Sequence, residues 1–235
     1  MKGKLYGIGT GPGDPELLTI KAINTIRKCH MIAVPETGNG EKTAYTIAVK
    51  YIEGKELLNC RFSMEHDMAK RKESRQNAAA AIIKNLDKGK DVGFITLGDP
   101  TTYSTYMYVH EIVASEGYET EIIPGITSYA AAAAALGIPL CEGNETLTLA
   151  AGHSKDIDEI LARPGNKAIM KSGAGLDSVL KKLKENGHGQ HTKIIVRATM
   201  EGQRIYNSIE EYEKSPEPGY FTVAIVGNRE ATQNR

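Results

Sequence analysis

Tryptophan is absent from this 235-residue sequence, phenylalanine and cysteine occur three times each, and net charge is zero, with 29 Lys and Arg against 29 Asp and Glu. Zero net charge argues against a chain-wide electrostatic partner such as duplex DNA or an anionic membrane, while leaving room for a local basic wall. The sequence also has no basic stripe with interleaved aromatic residues, which disfavours RNA. Cys29, Cys60 and Cys141 are far apart and odd in number. No pair of them has metal-ligand spacing, and the count does not suit a disulfide framework. The expected setting is the reducing cytoplasm. No apolar run approaches the roughly 18 residues that span a bilayer. Glycines and prolines from Gly7 to Pro15 leave no room for the apolar core of a signal peptide. The expectation is a cytoplasmic protein that uses neither nucleic acid nor membrane as a partner.

What is present is an ordinary globular mixture, 40% hydrophobic and 25% charged, long enough for one large or two small domains. The first half alternates short β-branched runs with helical periods. Strands are expected at Lys4 to Gly9, Met31 to Val34, Glu56 to Phe62, Asp91 to Leu97 and Glu119 to Ile123. Helices are expected between them, at Glu16 to Cys29, Thr43 to Ile52, Arg71 to Leu86 and Tyr103 to Ser115. Alternation at this pace implies crossover connections and a parallel sheet with helices on its faces.

The texture changes after Pro124. An alanine-rich helix, Ser128 to Leu136, precedes strands at Thr146 to Ala151, Lys167 to Lys171, Lys193 to Ala198, Gln203 to Ser208 and Phe221 to Gly227. Leu176, Val179, Leu180 and Leu183 mark one amphipathic helix among them. Late strands with too little chain between them for a helix predict antiparallel pairing, hence a mixed sheet. The fold class is α/β in two domains, 1–123 with a parallel sheet and 124–235 with a mixed one.

Three loops carry the chemistry. The first strand runs into Gly7-Ile8-Gly9-Thr10-Gly11-Pro12-Gly13-Asp14-Pro15, where glycines at alternate positions admit a ligand close to the backbone and prolines stiffen the turn. The dinucleotide fingerprint fails here, because its third glycine falls on Pro12 or Asp14. A P-loop fails as well: the nearby Lys42-Thr43 follows Glu41 where a glycine is needed. The bland alternative is a tight strand-to-helix turn with a local job. The second loop, Leu97-Gly98-Asp99-Pro100-Thr101-Thr102-Tyr103, also follows a strand, where open parallel sheets bind ligands. There Asp99 is either a ligand contact or only the N-cap of the next helix. The third, Pro124-Gly125-Ile126-Thr127-Ser128, opens the alanine-rich helix, and Thr127 or Ser128 can simply cap it.

In that order, Gly-Thr-Gly-Pro-Gly-Asp-Pro, then Leu-Gly-Asp-Pro-Thr-Thr-Tyr, then Pro-Gly-Ile-Thr-Ser-Tyr-Ala resembles the S-adenosylmethionine-dependent tetrapyrrole (corrin/porphyrin) methyltransferase family across essentially the whole chain. Within it, Gly-Asp-Pro followed by Thr-Thr-Tyr-Ser-Thr-Tyr is similar to the enzymes that methylate the C20 bridge carbon of precorrin-2 or cobalt-factor II in cobalamin synthesis. The resemblance implies two α/β domains with the active site in the cleft between them, a homodimer, S-adenosyl-L-methionine as cofactor and a tetrapyrrole substrate. Carried over by position, it implies that Pro12 borders the cleft. It places Leu97, Gly98, Asp99 and Thr102 against the methionine part or ribose of the cofactor. Thr127 and Ser128 supply polar groups, and Met170 and Ala198 contact adenine and its sugar. Met170 as core filler and Ala198 as a small residue at a strand end are the bland alternatives.

The chemistry agrees with these loops. Carbonyl oxygens of a glycine-rich loop can approach a sulfonium, and Asp14 and Asp99 suit a cation better than a polyphosphate. A reduced tetrapyrrole has nucleophilic bridge carbons, so no general base is required and no catalytic residue is assigned. Its acetates and propionates call for fixed cations. Lys171, Arg197 and Arg61 are candidates near strand ends, with Tyr103 as a further substrate contact. Tyr103 and His153 lie in or near these loops, where a lone Tyr or His is also commonly structural. Lys70-Arg71-Lys72 and Lys181-Lys182 read as solvated helix faces. No metal site is expected: His188 and His191 lack companion ligands, so any cobalt arrives with the substrate. The competing readings are a family member acting at another ring position or on another substrate, a nicotinamide-dependent oxidoreductase, and a non-catalytic tetrapyrrole-binding or chelatase-like protein.

Overall fold

The run Leu5–Gly9 becomes a fully buried interior strand, β1, in a computed structural model that describes residues 1–36, 42–63, 67–214, 216 and 220–227. After β1 come α1 (Ile20–Lys28), β2 (Met31–Glu36), α2 (Thr43–Ile52), β3 (Glu56–Arg61), α3 (Met68–Leu86), β4 (Val92–Thr96), α4 (Tyr106–Ser115) and β5 (Thr120–Ile123). The five strands are ordered β3-β2-β4-β1-β5 and every pair is parallel. Alternation along the strands decides the faces. Tyr6, Ile8, Ile32, Val34 and Ile95 meet Ala22, Ile26, Ala44, Ile47 and Ile52 of α1 and α2. Leu5, Met31, Ala33, Val92 and Phe94 meet Ala78, Ile82, Leu86, Val109 and Val113 of α3 and α4. Both faces are therefore covered, as a parallel sheet requires.

Local side chains move several helix starts away from the periodicity. Asp14 accepts the Glu16 N–H at 2.8 Å and closes a 3₁₀ turn at Pro15–Leu17; Thr19 then caps α1 through Ala22 N–H at 3.1 Å. That helix consequently starts at Ile20 and not at Glu16. Asp67 accepts from Ala69 and Lys70 and starts α3 at Met68, ahead of Arg71. Tyr103 has φ +50°, so α4 waits until Tyr106.

The chain divides into Met1–Thr127 and Ser128–Arg235, each a compact unit. Pro124 to Thr127 stay with the first unit, where Gly125 N–H is bonded to Asp99. The second unit holds α5 (Ser128–Leu136), β6 (Leu147–Ala151), α6 (Ile157–Ala162), β7 (Asn166–Met170), α7 (Leu176–Glu185), β8 (Thr192–Val196), β9 (Arg204–Tyr206), α8 (Ile209–Glu213) and β10 (Thr222–Val226). Its order is β6-β7-β10-β8-β9, with β6 and β7 parallel and the other three pairs antiparallel. The mixed sheet is as expected, while α6 and α8 are additions: six and five residues are too few to show a helical period. One face packs on α6, α7 and α8 through Leu161, Leu176, Leu180, Leu183, Ile209 and Tyr212. The other packs on α5, where Ala132 lies with Ala168, Ile195, Val223 and Ile225. Removing a buried side chain such as Leu183 costs about 2–5 kcal/mol.

Candidate functional site

β1 and β4 are neighbours, yet the helices that follow them lie on opposite faces of the sheet, α1 with α2 and α4 with α3. That is a topological switch point, and ligands of open α/β sheets bind outside the carboxyl ends of the strands there. All three predicted loops of the first unit leave adjacent strands at this edge, from β4, β1 and β5.

Backbone contacts lock the loops together. Gly11 N–H donates to Gly98 O at 3.2 Å, and Gly98 N–H returns a bond to Gly11 O at 2.8 Å. Gly11 and Gly98 have φ of +75° and +72°, a conformation that glycine adopts without penalty. Thr10 N–H and Oγ1 both donate to Thr96 O, at 2.9 and 3.1 Å. The third loop sits directly against the first two: a Cβ on Gly125 would lie 2.2 Å from Gly98 O, and one on Gly9 would lie 2.6 Å from both Gly125 N and Gly98 O. Gly98 differs, since a Cβ there would meet only Ile126 O, at 4.0 Å. Its α-carbon faces open space edged by a carbonyl.

Asp99 is the fastener. It is buried, with Oδ1 accepting Thr101 N–H at 2.8 Å and the Thr101 hydroxyl, and Oδ2 accepting Gly125 N–H at 2.9 Å. Thr102 N–H donates to Asp99 O at 3.3 Å. Leu97 packs on the α1–α2 core, and Pro12 is buried beside Gly11. The structure thus gathers Pro12, Leu97, Gly98, Asp99 and Thr102, with Gly125 two residues before Thr127. Gly9 and Gly125 are the residues whose role sequence reasoning missed; the signal was a glycine at each strand end, which without coordinates is indistinguishable from an ordinary turn.

In the second unit Ser128, Met170 and Ala198 come together. Ser128 Oγ lies 4.0 Å from Met170 Sδ, and Met170 and Ala198 belong to one apolar cluster with Tyr129 and Val223. Ser172 Oγ and Thr222 Oγ1, at the same sheet edge, are buried with no hydrogen-bond partner among the described residues. Nothing in the sequence distinguishes either from other Ser and Thr.

Among the described residues, four non-glycines have positive φ: Tyr103 at 50°, Lys171 at 53°, Arg197 at 56° and Thr199 at 64°. Three of them are predicted substrate contacts. Each such residue carries about 1–2 kcal/mol of backbone strain, and strain of this kind concentrates at functional sites. His153 Nδ1–H donates to Lys171 O at 2.9 Å. Arg61 stands apart, at the end of edge strand β3, separated from β4 by β2. It is exposed and bonded to Glu36 Oε2 at 3.2 Å. Lys42 and then Arg61 hold the Glu36 carboxyl below the ordinary carboxylate range. Lys182 pairs with Asp158 and Lys181 with Glu185 on exposed helix faces. His188 and His191 flank the turn before β8, at the opposite end of that strand from Arg197. Among the described residues, no group of three or more His, Cys, Asp or Glu is placed to hold a metal, and no helix is long and apolar enough to cross a membrane.

Residues 4–213 match the family profile of the Tetrapyrrole (Corrin/Porphyrin) Methylases. The chain is 35% identical to a probable cobalt-precorrin-2 C(20)-methyltransferase of Methanocaldococcus jannaschii, covering 95% of both chains. It is 28% identical to the cobalt-precorrin-2 C(20)-methyltransferase of Salmonella typhimurium, covering 97% of this chain and 98% of that one. Its fold is shared, with a TM-score of 0.71 at 20% identity, by a uroporphyrin-III C-methyltransferase from Thermus thermophilus solved with S-adenosylhomocysteine, over 96% of this chain and 92% of that one.

Proposed function

The chain belongs to the tetrapyrrole (corrin/porphyrin) methylase family and is a methyltransferase; on that premise we propose that it uses S-adenosylmethionine to methylate the C20 bridge carbon of precorrin-2 or cobalt-factor II in cobalamin synthesis. The observation that carries this reading is the Gly11–Gly98–Gly125 interlock at the β1/β4 switch point, which leaves Gly98 facing open space. The C20 assignment is supported by the two relatives that bear that name and that match over nearly their full length.

The residues fit the cofactor. The open side of Gly98 is edged by the Ile126 carbonyl, and the Gly7 to Pro15 and Leu97 to Thr102 loops contain no Lys or Arg. Such a surface suits a sulfonium and disfavours a polyphosphate. Bound there, the cofactor supplies an electrophilic methyl group. Pro12, Leu97, Gly98 and Thr102 border its methionine part and ribose, and Asp99 holds their loops in register. Thr127 and Ser128 add hydroxyl groups, and Met170 and Ala198 give an apolar seat to adenine. The protein's main work is positioning, which is worth roughly 7–11 kcal/mol when reacting atoms are held in line. The bridge carbon is already nucleophilic, so the residues need not deprotonate it before transfer. We infer further that the protein is a cytoplasmic homodimer; light scattering on the purified chain tests the dimer, and cell fractionation tests the location.

Calorimetry with S-adenosylhomocysteine beside NADH tests the cofactor assignment. Binding of the first alone is expected. Binding of NADH without S-adenosylhomocysteine would replace this reading with an oxidoreductase.

A further inference from the structure

We propose that Lys171 and Arg197 form a two-cation clamp for substrate carboxylates, each set by a left-handed backbone at the end of its strand. The proposal rests on the methylase reading above and deepens it by naming the groups that grip the substrate.

β7 and β8 both pair antiparallel with β10, one on each side, so they run in the same direction and end at the same sheet edge. Met170 is opposite Val223, Val196 is opposite Thr222, and Arg197 N–H donates to Phe221 O at 2.9 Å. Lys171 and Arg197 therefore flank the start of β10, two strand spacings or about 10 Å apart at the backbone. That span suits two carboxylates on the rim of one tetrapyrrole.

Both residues adopt φ values, +53° and +56°, that glycine or asparagine would adopt more readily. A long cation at such a place is unfavourable for the fold and persists where its side chain has another use. Lys171 is held by the bond from His153 to its carbonyl, and its Nζ stands 5.9 Å from the Tyr220 ring centroid. Arg197 is exposed and has neither ion pair nor side-chain hydrogen bond among the described residues. The unpartnered Thr222 hydroxyl lies between them, only 2% exposed.

The test uses the full chain and the variants K171N, R197N, the double variant, K171G and R197G. Asparagine removes the charge and keeps the left-handed backbone accessible; glycine removes the strain as well. The probes are sirohydrochlorin, the oxidised octacarboxylate form of precorrin-2, followed by absorbance, and S-adenosylhomocysteine, followed by calorimetry. Each single variant is expected to lose about tenfold in sirohydrochlorin affinity, the effect of one charge-assisted contact. S-adenosylhomocysteine affinity should stay within about twofold, and the glycine variants should melt about 2–4 °C higher. Wild-type affinity for sirohydrochlorin in the double variant would overturn the clamp while the methylase reading stands. Loss of S-adenosylhomocysteine alone would assign the cations to the cofactor carboxylate and also overturn it. Wild-type protein that binds neither probe would overturn the methylase reading itself.

Discussion

Asp99 accepts the backbone N–H of Gly125 at 2.9 Å, which ties the loop after β4 to the loop after β5 across the end of β1. Its other oxygen accepts from Thr101, so both carboxylate oxygens are engaged within the first unit. In the proposed site, Asp99 acts on the cofactor through the loops it joins. D99A is expected to remove the acceptor of the exposed Thr101 and the partly buried Gly125 N–H and to cost about 1 kcal/mol, the net value of an ordinary hydrogen bond. S-adenosylhomocysteine affinity should fall with stability, and D99N, which keeps one acceptor, should fall between. Thermal unfolding and calorimetry on the same samples check this.

Glycine substitutions separate fold from site. G9A and G125A drive a Cβ to within 2.6 and 2.2 Å of Gly98 O and should unfold the loop lock, seen as a lowered melting temperature. G98A has room for its Cβ, with only Ile126 O at 4.0 Å, and adds only the strain of φ +72°. It should cost about 1–2 kcal/mol in stability while filling the open face. Loss of S-adenosylhomocysteine binding in a folded G98A protein is the expected result.

Burial raises the Cys29 and Cys60 thiols to about 12, whereas Cys141 is exposed. Since the thiolate is the reactive form, a thiol reagent at neutral pH should label Cys141 in the native protein. The other two should react only on unfolding. Rapid modification of all three in the native state would contradict the packing of β3 and of the residue after α1.

Glu36 bridges Lys42 and Arg61, and these hold its folded-state carboxyl below the ordinary range. A lowered carboxyl value stabilises the fold above the ordinary carboxylate pH and loses that contribution as pH falls through the folded value. E36Q should therefore melt below wild type at pH 7, with the two converging in acid. A pH series of melting temperatures measures it.

The parallel half of the fold was legible because strands such as β2 and β4 are short, mostly apolar runs and its helices are long enough to show a period. The α6 helix and the α8 helix, at six and five residues, are shorter than two turns and left no such signal. Helix starts were misplaced where one side chain decides them, as Thr19 does for α1 and Asp67 for α3. The three loops were legible as a set from their glycines. The contacts that make them one lock, Gly11 with Gly98 and Asp99 with Gly125, join residues 87 and 26 positions apart, and no local pattern encodes such a contact. The strain at Lys171 and Arg197 was equally hidden, because neither residue type prefers the left-handed region it occupies.

The most direct measurement incubates the protein with precorrin-2, or with cobalt-factor II, and S-adenosylmethionine labelled with carbon-13 in the methyl group. The product is then examined by mass spectrometry and NMR. One added methyl whose carbon is bonded to the C20 bridge position is the predicted result. Labelled methyl at another ring position, or no transfer to either tetrapyrrole, would contradict the assignment.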